Sequence, residues 1–126
     1  MALGDVGGVV TELVITCRTP LSGTIAIAKG DALKLTDGYT VNNDTDDEDA
    51  VLGQALADTT ANYEAIPVKV RGVSVFSYTG NAPTVDGAAG IVASATAGKV
   101  KAPASGNGKG INLKVDTDAT LVYVLL

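Results

Sequence analysis

Residues 51–73 read VLGQALADTTANYEAIPVKVRGV, and the pattern within this stretch decides the fold class. A short apolar step is followed by small and polar residues and then by a β-rich run. In that run Val68 and Val70 alternate with Lys69 and Arg71, which is the two-residue period of a strand with one buried face. We therefore predict a short strand, a connection and a longer strand.

The alternation shifts by one residue at Gly72. After this glycine the apolar set consists of Val73 and Val75, so the apolar residues change parity. A shift of one residue moves side chains to the opposite face of a strand. A glycine within a strand often marks a bulge or a bend. We expect either a β-bulge at Gly72 or a strand that passes there from one sheet into another.

The rest of the chain is composed of similar short segments. In TELVITCRT the residues Leu13, Ile15 and Cys17 share one face, and Asp37-Gly38 is a hairpin signal between ALKL and YTV. Further strands are predicted at GIVAS, KVKA, INLKVD and TLVYVLL. The last of these is so apolar that it must be paired and largely covered. Fifteen glycines leave few uninterrupted runs of helix formers. The fold class is therefore all-β, a small β-sandwich or barrel of short antiparallel strands.

The two halves of the chain resemble each other. The spacing from Gly30 to Gly53 equals the spacing from Gly87 to Gly110, and each interval contains a strand, a glycine turn and a strand. A possible internal duplication follows, with two similar hairpin layers packed on each other. Residues 12–126 are predicted to form a single β domain. Residues 1–11, which are glycine-rich and without a period, are predicted to form a flexible N-terminal arm.

Composition argues against several classes of function. The chain has no histidine, so it lacks the commonest general base and metal ligand. Cys17 is the only cysteine, and its parity marks it as a small core residue. A net charge of −5 argues against binding to nucleic acid. No apolar run is long enough to span a membrane, and the first residues do not resemble a secretory signal. We expect a soluble, non-enzymatic protein, made in the cytoplasm, without cofactor or metal.

The polar features have plain interpretations. The spacing of the acid run Asp44, Asp46, Asp47, Glu48 and Asp49 does not match a calcium loop, so a solvated loop is predicted. SGNGKG continues into a strand and is predicted to be a turn rather than a phosphate loop. Turn and capping roles are predicted for four further acids: Asp58, Glu64, Asp116 and Asp118.

Charge is unevenly distributed along the chain. The acid run contrasts with a basic segment that holds Lys99, Lys101, Lys109 and Lys114. Complementary patches of this kind suit assembly with further copies or with a charged partner, whereas ordinary solubilising charge is the alternative.

Four segments, in their order along the chain, carry a resemblance to a known family. GDALKL, VLGQALADTTANYEAIPVKVRGV, GKVKA and GINLKVDTDATLVYVLL resemble the capsid cement (head decoration) proteins of tailed bacteriophages. The similarity covers residues 25–126. A GD-aliphatic turn introduces a short strand, a G-x-A-L-x-D step leads to V-x-V-x-G-V, and a second hairpin layer closes the domain. The acid run is not part of this pattern.

The resemblance implies a structural virion protein. Such a protein binds the outer surface of a mature capsid, where its partner is the major capsid protein, and it staples neighbouring coat subunits. It also implies a homo-oligomer, with a trimer favoured and a dimer possible. The contact residues we expect are Val6, Val9 and Val10 in the arm, and Tyr123 and Leu125 in the last strand.

A small carbohydrate-binding or adhesin-like β module of a surface or tail-fibre protein is the alternative. Such a module needs an aromatic platform at the surface. Tyr39, Tyr63 and Tyr78 would then have to cluster on one face of the domain.

Overall fold

A computed structural model describes Leu3, residues 12–86 and residues 88–126. The arm residues Val6, Val9 and Val10 lie outside the described residues, as does Gly87. In the described part of the chain the regular structure consists of strands, with no helix. The strands are β1 (Leu13–Arg18), β2 (Ala32–Asp37), β3 (Thr40–Asn42), β4 (Gly53–Ala55), β5 (Ala65–Arg71), β6 (Val73–Ser77), β7 (Val92–Ala93), β8 (Val100–Lys101), β9 (Ile111–Asp116) and β10 (Leu121–Leu125). The predicted all-β class is confirmed.

The first five strands form a closed barrel in the order β1-β3-β2-β4-β5. β1 closes it by pairing antiparallel with β5 and parallel with β3. Closure leaves these strands without free edges, which removes a route to aggregation. The barrel interior is aliphatic and contains, among others, Cys17, Leu33, Val41, Ile66 and Val68.

The last five strands form a three-stranded sheet, β6-β10-β9, and a two-stranded sheet, β7-β8. Two isolated bridges join these sheets, a parallel one between Tyr78 and Val100 and an antiparallel one between Ile91 and Lys109. They enclose a second core around Phe76, Ile91, Val100, Val122 and Val124.

The second set of strands repeats the pairings of the first in the same chain order. The antiparallel pair β1–β5 corresponds to the pair β6–β10, and β4–β5 corresponds to β9–β10. The hairpin β2–β3 corresponds to the hairpin β7–β8. The parallel β1–β3 contact corresponds to the Tyr78–Val100 bridge, and β2–β4 corresponds to Ile91–Lys109. The chain is therefore a tandem of two five-stranded units with the same pairing order. The first is a closed barrel; the second, which we call the second barrel, consists of two sheets that single bridges join at two places. This repeat agrees with the predicted duplication.

Gly72 is the point at which the chain leaves the first barrel and enters the second. Its φ is 115°, a left-handed conformation that glycine adopts without steric cost. Strand β5 ends before it and β6 begins after it, so the prediction of a strand that changes sheets is confirmed.

The apolar face of β6 is the opposite of the one the sequence indicated. Ser74 and Phe76 point into the second core, whereas Val73 and Val75 are exposed. An aromatic ring buries more surface than a valine side chain, so Phe76 decides which face of β6 is buried.

The predicted burial of β1 and β10 is confirmed for some of their residues and not for others. Cys17 is buried, as predicted, but Leu13 is exposed at the end of β1. β10 lies between β6 and β9, so it is paired along both edges, and its residues Val122 and Val124 are fully buried. Only one face of β10 is covered, because Leu125 on the other face is exposed.

Gly53 in the opening stretch tests the packing of the first barrel. A Cβ atom at Gly53 would lie 2.2 Å from the Lys69 carbonyl oxygen, so β4 and β5 would have to separate. We expect Gly53→Ala to lower the free energy of unfolding by about 1–3 kcal/mol in urea denaturation. Gly38→Ala is the control, because a Cβ there meets nothing within 4 Å. Equal stability of the two variants would contradict the close approach.

Candidate interaction surface

The outer face of the three-stranded sheet carries exposed apolar side chains. Alternation places them opposite the buried residues of the same strands, and β9 adds Leu113 at its bulge. Five of them are between 36% and 45% exposed. We call this surface the outer sheet face, and its residues are Val73, Val75, Ile111, Leu113, Tyr123 and Leu125.

The first barrel shows that the fold does not require an apolar residue at every position of this face. When the strand pair β1–β5 is superimposed on the pair β6–β10 by register, Leu125 of β10 takes the position of Lys69 of β5. Val75 of β6 likewise takes the position of Thr16 of β1. Two further pairs follow from the same registers, Pro67 with Tyr123 and Gln54 with Ile111. Thr16, Lys69 and Gln54 therefore have apolar residues at their equivalents in the second barrel, whereas Pro67 and Val14, the equivalent of Val73, are apolar in the first barrel too. Contiguous exposed apolar surface of this kind marks interaction sites.

The edge of this sheet at β6 is occupied within the chain. Lys69 Nζ donates a hydrogen bond to the Val73 carbonyl at 2.8 Å, and Gln54 Nε2 donates to the Val75 carbonyl at 2.7 Å. Side chains of the first barrel thus take acceptors that an added strand would need. The sheet consequently offers a partner its face rather than this edge.

One cation lies on the outer sheet face. The Lys114 ammonium is 5.3 Å from the centre of the Tyr123 ring, within cation–π range. The surface therefore combines aliphatic contact with an aromatic ring and a positive charge, a combination that suits a protein partner.

Of the predicted contact residues, the structure describes the two in the last strand and not the three in the arm. Tyr123 and Leu125 lie together on the outer sheet face, whereas the arm residues are outside the described part of the chain. Sequence reasoning missed Val73 and Val75, because it treated them as the apolar side of β6. The signal that identifies them is Phe76, whose parity opposes theirs.

The acid run is a solvent-exposed loop that also contacts the second barrel. Thr45 Oγ1 donates to the Ser94 carbonyl at 2.6 Å, and Asp47 Oδ1 accepts from the Ala95 N–H at 2.8 Å. Glu48 Oε1 accepts from the Ala104 N–H at 2.7 Å. The prediction of a solvated loop is confirmed for Asp44, Asp46, Asp47 and Glu48, which are exposed. What the sequence did not predict is that the backbone of the second barrel donates to two of these carboxylates.

The basic segment pairs with the acid run inside the same molecule. Lys101 Nζ lies 3.7 Å from Asp47 Oδ2 and 3.4 Å from Glu48 Oε1. Lys34 Nζ lies 3.0 Å from Asp49 Oδ2. Lys101 thus joins the acid run to the second barrel, whereas the Lys34–Asp49 pair lies within the first barrel region. No salt bridge among the described residues involves Lys99, Lys109 or Lys114, the other lysines of the basic segment.

Three of the four acids that were predicted to have turn and capping roles accept hydrogen bonds there, whereas the Asp118 carboxylate forms none with the described residues. Asp58 Oδ1 accepts from the Lys29 N–H, Glu64 accepts from Thr59 Oγ1, and Asp116 Oδ1 accepts from Asp118 and Ala119. Among the described residues no group of three or more His, Cys, Asp or Glu side chains could hold a metal ion. Nor does this part of the chain contain a helix long and apolar enough to cross a membrane.

Two tyrosines meet Arg18 at one end of the first barrel. The Arg18 guanidinium carbon lies 4.6 Å from the centre of the Tyr63 ring, and its Nη1 donates to the Tyr63 hydroxyl at 2.6 Å. The Arg18 backbone N–H donates to the Tyr39 carbonyl at 2.9 Å. Tyr78 is only 6% exposed and lies in the second core, so it cannot join a three-tyrosine platform.

No protein-family model matches the chain, and the search of curated proteins found no significant match. The function is therefore argued from the resemblance in segment order and from the surfaces described above.

We expect the Asp49 carboxylate to contribute to the loss of folding stability in acid. The Asp46 N–H and the Lys34 ammonium both stabilise its charged form and hold the pKa of Asp49 below its ordinary value of 3.8. This stability is therefore fully present above the unfolded pKa and is lost as the pH falls through the folded pKa. We expect Asp49→Asn to flatten the loss of stability below about pH 4 in acid titrations followed by circular dichroism.

Asp44→Asn is the matched control, because the Asp44 carboxylate forms neither a salt bridge nor a hydrogen bond in the described part of the chain. Asp86, whose pKa is lowered by the N–H groups of Ala89 and Ala88, keeps part of the acid sensitivity in both variants. Identical acid limbs for the two variants would refute the stabilising role of the Asp49 carboxylate.

Proposed function

We propose that this protein is a non-enzymatic capsid cement protein that binds the outside of a mature phage head and staples neighbouring coat subunits. The observation that carries the proposal is the outer sheet face, an apolar surface that the repeated fold does not need at every position. The resemblance in segment order supports the same function. The partners are the major capsid protein and further copies of the chain, with a trimer favoured over a dimer.

The physics of the task matches a rigid β module with an exposed face. A protein that binds only the expanded shell stabilises that shell by mass action. Many copies that each bridge two coat subunits act together, so a modest surface on each copy is sufficient. The buried links between the two barrels hold the outer sheet face in a fixed orientation. Preorganisation of this kind reduces the entropy lost on binding.

Co-sedimentation tests this function directly. The protein is mixed with expanded, DNA-free heads and with unexpanded heads, both assembled from the coat protein of the phage that encodes it. We expect saturable binding to the expanded heads only, with a copy number that light scattering relates to the solution oligomer. Absence of binding to both kinds of head would overturn the proposal.

Two charge substitutions test the surface itself. Val75→Glu and Leu125→Glu place a carboxylate on the outer sheet face, and each is expected to weaken head binding by about tenfold or more, since buried interface anchors contribute at this level. Val85→Glu is the matched control, because Val85 is exposed outside this face. Equal binding by all three variants would show that another surface contacts the shell.

A further inference from the structure

We propose that Arg18, Tyr39 and Tyr63 form a binding site for a saccharide that carries a carboxylate, such as a chain of uronic-acid units. We call these three residues the tyrosine–arginine site. The proposal does not depend on the capsid function, because the site lies on the first barrel and the outer sheet face lies on the second.

Arg18 is positioned for an anion that the described part of the chain does not supply. Its guanidinium stacks on the Tyr63 ring and uses one N–H on the Tyr63 hydroxyl, and it forms no salt bridge with any described residue. The guanidinium has five N–H donors in a planar fork, which matches a carboxylate. Stacking fixes the orientation of the fork, so less entropy is lost when a ligand binds.

Both tyrosines occupy conformations that local structure alone does not favour. Tyr39 has φ 52° and Tyr63 has φ 55°, and their side chains are 70% and 56% exposed. Left-handed positions in turns usually hold Gly, Asn or Asp, because a bulky side chain is strained there. Neither ring gains burial in return. Glu48 and Thr120 have positive φ as well, so the turns set this conformation, and the distinguishing feature of this corner is that its left-handed positions hold exposed rings.

The second barrel builds the equivalent corner without these residues. The strand registers equate Arg18 with Ser77, because Arg18 pairs with the first residue of β5 and Ser77 with the first residue of β10. In the turn before β10, Ala119 takes the position that Tyr63 has before β5, because Thr120 corresponds to Glu64: their carbonyls accept from the equivalent N–H groups of Tyr78 and Thr19. The fold therefore tolerates small side chains at this corner, and the tyrosine–arginine site is a property of the first barrel alone.

The space around Arg18 suits an extended, polar ligand. An open cleft of about 400 Å³ is lined by Arg18 and Tyr63, and another of about 360 Å³ by Arg18 and Tyr39. Arg18 is common to both clefts, so a chain could place one sugar ring against each tyrosine and a carboxylate on the arginine between them. Aromatic faces stack well on the apolar faces of sugars, which is why a carbohydrate-binding module needs aromatic side chains at its surface.

The neighbouring side chains favour a saccharide over a protein partner. The cleft beside Tyr63 also contains Thr36 and Thr40, whose hydroxyl oxygens can accept from sugar hydroxyls. It contains Asp37 as well, whose carboxylate accepts from the Gly38 N–H and forms no salt bridge with Arg18, so the carboxylate of the ligand has to bind on the side of Arg18 away from Asp37. A protein interface needs an apolar core around its anchors. Leu21 is the exposed aliphatic side chain at this cleft, which is too little for such a core.

The test is a titration of the ¹⁵N-labelled protein with trigalacturonic acid, followed by NMR. The matched neutral ligand is the methyl ester of the same trisaccharide, and tetraglutamate represents an acidic peptide. We expect the acid to shift the Arg18 side-chain and Tyr39 and Tyr63 backbone signals, and to bind at least about tenfold more tightly than the ester, since a charge-assisted hydrogen bond is lost on esterification. Equal binding of acid and ester, tighter binding of tetraglutamate, or no shift with any ligand would overturn the proposal.

Three variants separate binding from folding. Arg18→Lys keeps the charge but loses the fork, and Tyr39→Asn removes a ring while relieving the left-handed strain; each is expected to bind trigalacturonic acid at least about tenfold more weakly. Tyr39→Asn should melt at the same or a higher temperature than the parent protein. Thr120→Asn relieves equivalent strain outside the site and should leave binding unchanged. Retained affinity in both site variants, or loss in Thr120→Asn, would contradict the assignment.

Discussion

The left-handed backbone at Gly72 is the constraint on which the arrangement of the molecule depends. It allows a nearly continuous run of β residues to leave one barrel and enter another without a loop. A side chain there would be strained by the positive φ, and its Cβ would lie 3.0 Å from Glu12 Cγ. The turn at Gly72 also sets the face of β6 that Phe76 buries, and thereby the face on which Val73 and Val75 remain exposed.

Duplication explains how one small fold can carry two different surfaces. Both barrels need the same inward residues, since each has a core to fill, but their outward positions are free to differ. The second barrel has become apolar on its outer sheet face, while the first keeps Thr16 and Lys69 at equivalent positions. The first barrel instead carries the tyrosine–arginine site at a corner where the second has Ser77. Comparing the two repeats therefore identifies residues that the fold alone does not require.

Strand identity and the sheet change could be predicted from the sequence, because alternation and glycine position report directly on backbone geometry. The orientation of β6 could not, since it depends on competition between Phe76 and two valines for the same core. The structural role of the acid run was also hidden. Its partners are backbone N–H groups of Ala95 and Ala104, which have no signature in the sequence. The sequence grouped Tyr39 and Tyr63 with Tyr78 as the platform that a carbohydrate-binding module would need. The contact of Arg18 with Tyr63 could not be predicted, because the two residues are far apart in the chain.

The central claim is that the outer sheet face is the surface that contacts the capsid. Hydroxyl-radical footprinting, read by mass spectrometry on the free and head-bound protein, measures side-chain exposure at each candidate position. The account predicts that Ile111, Leu113, Tyr123 and Leu125 are labelled less in the bound state, while Tyr39 and Tyr63 are labelled equally in both states. Unchanged labelling of the outer sheet face on bound protein, with protection elsewhere, would contradict it.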